Sequence, residues 1–224
     1  MASREKIDRA IRPEKYVIAL VLAVFVFISG FLIGNYIARE KLNELSISQQ
    51  SLMSQLTGLD LRKELSQNNL CDLSLGDITK EKVEMGRQMQ ALESRLGKED
   101  SEVLMQKEIY ELVEIKTILL LKQIKESCND SSSIIMFFYT NRKNDPLGNL
   151  QQSEDQGYAL EALYQRYPEK VNNFVFDINI KNPAIESLIQ IYDIKTVPAL
   201  VIDNNVYLGY QDLDSLEKIL GFKK

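Results

Sequence analysis

The apolar residues of this chain fall into three patterns: one uninterrupted run, two stretches of helical periodicity, and a C-terminal series of short runs. The uninterrupted run covers residues 16–38 and contains no charged side chain. About 20 residues of helix cross the hydrocarbon layer of a membrane, whereas a cleaved signal peptide has an apolar region of about 7–15 residues. The pattern therefore predicts a transmembrane helix over residues 16–38.

The charges that flank this helix predict its direction. The preceding tail, residues 1–15, carries five basic residues, and only Arg39 and Lys41 follow closely. Because basic flanks stay in the cytoplasm, we expect a cytoplasmic N-terminus and an extracytoplasmic location for residues 39–224 of this single-pass membrane protein. Gly30 and Gly34 form a GxxxG pattern that lets two helices approach closely, although membrane helices are also generally rich in glycine.

Residues 39–128 have the pattern of a helical stalk. Leucines at alternating spacings of three and four residues indicate a short coiled coil, with Leu45, Leu52 and Leu59 as candidate contacts of a homodimer. Two further helical stretches, separated by Gly97, predict an antiparallel hairpin over about residues 77–127. Ile109, Leu112 and Leu119 are among the apolar residues expected to be buried by its second helix.

The two cysteines lie at matching distances from the turn of this hairpin. Cys71 precedes Glu99 by 28 residues and Cys128 follows it by 29 residues, so antiparallel arms bring the two together. A Cys71–Cys128 disulfide that clamps the base of the hairpin is the favoured interpretation for an extracytoplasmic segment. A redox-active pair and a disulfide between two chains are the alternatives.

Residues 129–224 change to short apolar runs separated by helices, which is typical of an α/β domain. The predicted order is β-α-β-α-β-β-α, with Asn204 and Asn205 as the hairpin turn between the last two strands. Asn182 followed by Pro183 predicts the start of one helix, and Asp212 predicts the N-cap of the last. Asn129 begins an Asn-Asp-Ser triplet, which matches the acceptor pattern for N-glycosylation.

The stretch Ile191–Ile202 (IYDIKTVPALVI) ends a helix and enters a strand through a Val-Pro pair. In this stretch, and in the hairpin and final helix that follow it, the C-terminal domain resembles the thioredoxin superfamily. The resemblance covers about residues 130–222. It implies that Pro198 is cis and that the backbone of Val197 is presented for strand-like hydrogen bonding to an extended peptide.

The chemistry of that family is missing at the expected place. Its Cys-x-x-Cys motif follows the first strand at the start of the next helix, where the helix dipole stabilises a thiolate. Here the loop begins with Thr140, Asn141, Arg142 and Lys143, and alignment places Lys143 and Pro146 near the two cysteine positions. We therefore expect a peptide-binding site, not a catalytic one, formed by Thr140, Asn141, Arg142, Lys143, Val197 and Pro198.

Composition narrows the classes of function further. The chain has no histidine and two cysteines, which excludes Ser-His-Asp and Cys-His nucleophile pairs, histidine-bearing metal sites and a four-cysteine zinc site within one chain. A net charge of −5 without a basic face argues against nucleic-acid binding. No cofactor, metal or catalytic residue is expected.

Three functions fit these patterns. The leading one is a redox-inactive protein- or peptide-binding or scaffolding module, anchored in the cell membrane or an endomembrane. A membrane-tethered thiol–disulfide oxidoreductase that uses Cys71 and Cys128 is the enzymatic alternative, and it lacks an activating histidine or Cys-x-x-Cys turn. A purely structural coiled-coil tether is the third.

Overall fold

The computed structural model describes residues 13–65, 71, 75–128 and 130–222. The chain forms two compact units that divide between Ile47 and Ser48. Helix α1 (Pro13–Leu65) contains this division. In the first unit, the segment Glu14–Ile37 has a mean hydropathy of 2.9 and is long and apolar enough to cross a membrane.

In the second unit, α2 (Leu75–Leu96) and α3 (Ser101–Cys128) form the predicted hairpin. Gly97 ends α2 at a φ of 97°, a left-handed conformation that glycine adopts without a steric penalty. The Asp100 carboxylate accepts a hydrogen bond from the backbone N–H of Glu102 and so caps α3. Cys71 and Cys128 are joined in a disulfide with a Cα–Cα distance of 5.4 Å, which confirms the predicted clamp.

The α/β class of the C-terminal part is confirmed. Its elements in chain order are β1 (Ser133–Tyr139), α4 (Leu150–Arg166), β2 (Val171–Asp177), α5 (Pro183–Ile191), β3 (Ala199–Ile202), β4 (Asn205–Leu208) and α6 (Leu213–Ile219). The four strands lie in the order β2-β1-β3-β4. Strand β1 is parallel to β2 and antiparallel to β3, and β4 is antiparallel to β3.

Each face of this sheet has its own core, because side chains alternate between the two faces along a strand. On one face, Met136 and Phe138 pack with Ile118 and Leu121 of α3. On the other, Ile135 and Phe137 pack with residues of α4 and α6. Asn182 and Asp212 cap α5 and α6 as predicted, since each side chain accepts a hydrogen bond from a backbone N–H in the first turn.

The hairpin packs directly on the sheet, and this differs from the expected stalk. Residues from Ser48 onward belong to one compact unit, so no boundary separates the helices from the sheet at residue 129. Leu59 is buried with Ile78, Met85 and other hairpin residues of the same chain. Its assignment to a seam between two chains is therefore wrong, since its surface is already covered from within.

Charged side chains of the hairpin cover the outer edge of β2. Glu114 Oε2 accepts a hydrogen bond from Val175 N at 2.6 Å, and Glu111 Oε1 accepts one from Asp177 N at 2.9 Å. Lys82 Nζ donates to the backbone oxygen of Asn173. These side chains supply the donor and acceptors that a neighbouring strand would supply, so the edge of the sheet is closed.

Candidate functional site

The candidate site lies where β1 ends and α4 begins. The connecting loop covers residues 140–149, and Asn149 caps α4 by accepting a hydrogen bond from Gln152 N at 3.0 Å. The Val197–Pro198 peptide bond, just before β3, is cis, as the resemblance implied. The first turn of α4 includes Leu150, Gln151 and Gln152.

The backbone of Val197 pairs with this loop in the manner of a parallel strand. Val197 N donates to Leu147 O at 2.8 Å, and Asn149 N donates to Val197 O at 3.3 Å. Gly148 lies opposite Val197 as an isolated parallel bridge. The two backbone groups that the sequence analysis assigned to an external peptide are thus both bonded within the chain.

Gly148 permits this pairing because it has no side chain. A Cβ atom at Gly148 would lie 2.2 Å from Val197 Cγ2 and 2.7 Å from Val197 O. Contacts this short are not tolerated, and the second involves backbone, which cannot rotate away. Any other residue at position 148 therefore pushes the loop away from Val197.

Asp145 holds the loop in this position. Its Oδ2 accepts hydrogen bonds from Thr140 Oγ1 at 2.6 Å and Asn179 Nδ2 at 3.0 Å, and its Oδ1 accepts one from Leu147 N at 2.9 Å. Desolvation opposes the charge on this carboxylate, but these hydrogen bonds outweigh it and hold the pKa of Asp145 below its ordinary value. Asp145 is therefore an ionised anchor across the neutral range.

A second network joins the same end of the sheet to the helical hairpin. Asp177, the last residue of β2, accepts a hydrogen bond from Asn141 Nδ2 at 3.1 Å. Lys107 Nζ lies 3.4 Å from Asp177 Oδ2 and 2.6 Å from Glu93 Oε1. Lys107 and Asp177 are each 2% exposed in their side chains, so this is a buried ion pair that connects the hairpin to the loop end of the sheet.

Burial also changes the acidity of the neighbouring carboxylates on α3. Desolvation raises the pKa of Glu114 to about 7, against the opposing effects of Lys82, Tyr110 and the Val175 N–H. Desolvation likewise raises the pKa of Glu111 well above its ordinary value. The closed edge of β2 therefore contains a carboxylate, Glu114, that gains or loses a proton near neutral pH.

The predicted site residues are divided between surface and interior. Thr140, Val197 and Pro198 are buried, and Asn141 is half-buried. Arg142 and Lys143 are exposed, as is the adjacent Leu147 at 50%. We call the three exposed residues Arg142, Lys143 and Leu147 the loop rim.

The structure reveals residues that the sequence analysis missed. The residues that pair with Val197 just before α4 are Leu147, Gly148 and Asn149. Neither these residues nor the first turn of α4 includes a cysteine. The sequence analysis did not identify Asp145 or Gly148 as site residues, although Asp-Pro-Leu-Gly has the composition of a turn that precedes a helix.

The other predicted sites stay predictions. Gly30 and Gly34 lie on α1, and beyond the adjacent backbone of that helix no atom of the described residues comes within 4 Å of a Cβ built at either. The side chains of Leu45 and Leu52, and the whole of Asn129, lie outside the described residues. Among the residues that the structure describes, no cluster of three or more acidic or cysteine side chains is arranged to hold a metal ion.

Comparison with known proteins gives weak structural likenesses, and one of them is to a thioredoxin. No protein-family model matches the sequence, and no curated protein matches it either. The crystal structure of chloroplastic thioredoxin z is similar, with 16% sequence identity and a TM-score of 0.35. The likeness covers 46% of this chain and 86% of that chain. Conclusions about this chain therefore follow from its own residues.

Proposed function

We propose that this protein is a membrane-anchored, redox-inactive binding module with a thioredoxin-like domain. Its partner is a protein or peptide that contacts the loop rim, next to the internally paired backbone of Val197. The observation that carries this proposal is the pairing of Val197 with an extended segment, Leu147–Asn149, next to a loop that contains no thiol. Recognition by backbone pairing needs no catalytic side chain.

The position of the disulfide supports a binding role over thiol chemistry. Cys128 ends α3 and precedes β1, whereas the loop rim follows β1. A seven-residue strand spans about 23 Å, at about 3.3 Å for each residue, so the disulfide and the loop rim lie at opposite ends of the sheet. The disulfide closes the hairpin.

The proposal includes the direction of the anchor. Glu14–Ile37 has the length and composition of a membrane span, and the basic residues that precede it favour a cytoplasmic N-terminus. The disulfide fits an extracytoplasmic location, because cytosolic thiols are normally kept reduced. The binding domain would then act outside the cytoplasm.

Site-specific photocrosslinking in native membranes tests the binding site. A crosslinking amino acid replaces Lys143 in the loop rim in one variant and Lys170 in the other. Both lysines are exposed, and Lys170 precedes β2 at the opposite end of the sheet. We expect a discrete crosslinked product from position 143, and Arg142→Glu should weaken it at least severalfold. Equal products from both positions would contradict the assignment of the loop rim.

A redox assay tests the other half of the proposal. The full-length protein in detergent should neither reduce nor isomerise a disulfide-bonded model substrate faster than buffer alone. Both cysteines should resist alkylation until a reductant is added, since both are in one disulfide. Catalysed reduction that Cys71→Ser abolishes would instead favour the oxidoreductase.

A further inference from the structure

The backbone position at Val197 is a strand-acceptor site that the chain itself already fills. Its N–H and C=O are both bonded to the Leu147–Asn149 segment, at 2.8 Å and 3.3 Å. We call Leu147–Asn149 the internal strand. It lies in a connecting loop outside the sheet, and its only ladder-type pairing among the described residues is this single bridge to Val197. A short extended segment held by two hydrogen bonds occupies the place that a bound peptide would take.

We infer that the internal strand is a built-in competitor, and that the Val197 site accepts a partner's extended segment, with glycine opposite Val197, when the internal strand moves away. This inference rests on the proposed binding function. It also specifies the ligand, since the internal strand shows what the site accommodates. A partner should enter as a parallel strand, because Gly148 and Val197 pair in parallel.

The requirement for glycine follows from the distance at the bridge. A Cβ in the partner residue opposite Val197 would meet Val197 Cγ2 at 2.2 Å and its carbonyl oxygen at 2.7 Å. The residue before the glycine corresponds to Leu147, whose side chain is 50% exposed, so this position tolerates an apolar side chain that points toward solvent. The expected ligand is an extended peptide with an apolar residue followed by glycine.

The anchor of the internal strand is Asp145 and not the body of the sheet. Thr140 and Asn179 donate to Asp145 Oδ2, and the Leu147 N–H donates to Oδ1. Loss of the carboxylate removes the acceptor that fixes Leu147 next to Val197. The internal strand can therefore be released by a change at Asp145 that touches neither Val197 nor the sheet core.

Competition within one chain sets the size of the expected effect. A tethered segment presents itself at an effective concentration on the order of millimolar, so a free peptide must overcome this advantage. The apparent affinity of the free peptide falls in proportion to the fraction of molecules in which the site is open. Displacing the internal strand should therefore tighten peptide binding by roughly tenfold or more.

The test uses the full-length protein in nanodiscs and two variants that displace the internal strand by different means. Gly148→Ala introduces the clashing Cβ, and Asp145→Ala removes both acceptor oxygens of the anchor. Gly157→Ala is the matched control, since Gly157 lies on α4 with no atom within 4 Å of an added Cβ. Hydrogen exchange at the Val197 amide reports displacement of the strand without reference to any ligand. The probe is a fluorescent peptide with the sequence of residues 144–151, NDPLGNLQ.

The expected result has two parts. The Val197 amide exchanges faster in Gly148→Ala and Asp145→Ala than in the wild type and the Gly157→Ala control. The probe peptide binds the two variants at least roughly tenfold more tightly than it binds the wild type, and a probe with alanine in place of its glycine does not bind. Circular dichroism identifies a variant that fails to fold, in which case the other variant supplies the answer.

Two results would overturn the inference. Unchanged exchange at Val197 in both variants would mean that the internal strand cannot leave. Faster exchange without binding of the probe would mean that the opened edge is not an acceptor site. Neither result depends on crosslinking at Lys143, so a failed inference is distinguishable from a failed binding function.

Discussion

The two edges of the sheet, β2 and β4, are protected to very different degrees. At β2 the backbone groups of Asn173, Val175 and Asp177 are bonded to buried charged side chains of α2 and α3. At β4 the outer edge faces solvent, and the side chains of Val206 and Leu208 are 40% and 51% exposed. An unpaired edge can pair with another chain, so proteins usually shorten it, charge it or cover it.

The two edges differ in the length of their strands and in the side chains that cover them. Strand β4 contains four residues and continues from a two-residue turn, Asp203–Asn204, that positions Asn205 opposite Ile202. It is the outermost strand on its side among the described residues. Strand β2 contains seven residues and would expose a longer edge. The hairpin closes that edge with charged groups, which makes the closure sensitive to the loss of one charge and to pH.

The largest effect should come from the buried lysine of the closed edge. Lys107→Met leaves Glu93 and Asp177 without their shared cation, and an uncompensated buried charge costs about 3–5 kcal/mol. Hydrogen exchange of the full-length protein in nanodiscs should show a decrease of this size in the opening free energy of the Val175 and Asp177 amides.

The control for this change lies on the same helix. Lys116→Met removes a surface ion pair between Lys116 and Asp60, whose side chains are 34% and 53% exposed, respectively. Such surface pairs contribute about 0–1 kcal/mol to stability. An equal effect of both substitutions would mean that burial of Lys107 does not matter. In Lys107→Met, the hydrogen-exchange rates of the β4 amides should change less than those of the β2 amides.

The disulfide should have the next largest effect. Cys71 and Cys128 are 57 residues apart in sequence, and removal of a disulfide that closes such a loop typically costs about 2–4 kcal/mol. The bond clamps the hairpin that covers β2, so Cys71→Ser with Cys128→Ser should accelerate exchange at Val175 more than at Tyr207 of β4. Uniform acceleration across the sheet would show that the clamp stabilises the whole unit and not one edge.

The pH dependence of the closed edge provides a third test. Because the pKa of Glu114 rises from 4.5 to about 7 on folding, the folded protein binds more protons than the unfolded chain between these values. The free energy of unfolding should therefore fall as the pH rises through this window, by at most about 1.4 kcal/mol for each pH unit. The raised pKa of Glu111 acts in the same direction.

A conservative variant isolates the contribution of Glu114. In Glu114→Gln the side-chain oxygen can still accept the hydrogen bond from Val175 N, but the titration is removed. The pH dependence of exchange at Val175 should become flatter, whereas Glu126→Gln, an exposed change on the same helix, should leave it unaltered. If Glu114→Gln retains the full slope, the titrating group is a different one.

The apolar pattern of the sequence predicted an α/β domain and the order of its elements along the chain, but not how the hairpin attaches to the sheet. Short apolar runs mark buried strands, and Asn182 and Asp212 cap helices through local hydrogen bonds that are encoded within a few residues. On α3 the same reasoning failed. Leu119 was expected to be buried and is 56% exposed, whereas Glu111 and Glu114 are no more than 1% exposed.

The reason for this failure is physical. A charged residue in a helix is normally solvated, and it is buried only where a partner compensates the cost of desolvation. Tyr110 Oη donates to Glu114 from the preceding turn of α3, but the backbone N–H groups of β2 that Glu111 and Glu114 also bind are more than 60 residues away in sequence. The local sequence pattern of α3 does not predict a contact with residues so far away in sequence. For the same reason the sequence predicted only part of the candidate site. Asp145 lies within the loop itself, but Asn179, which donates a hydrogen bond to it, is distant in sequence.

The smallest effect should come from the open edge. Val206→Lys places a charge at a position that is 40% exposed, and surface substitutions of this kind usually change stability by less than about 0.5 kcal/mol. Val171→Lys on β2 is the contrasting change, because Val171 is completely buried and should not accept a charge without unfolding. The opening free energies from hydrogen exchange measure both. A large loss of stability from Val206→Lys would show that β4 is covered after all, by a second chain or by another part of this one, and the contrast between the two edges would then disappear.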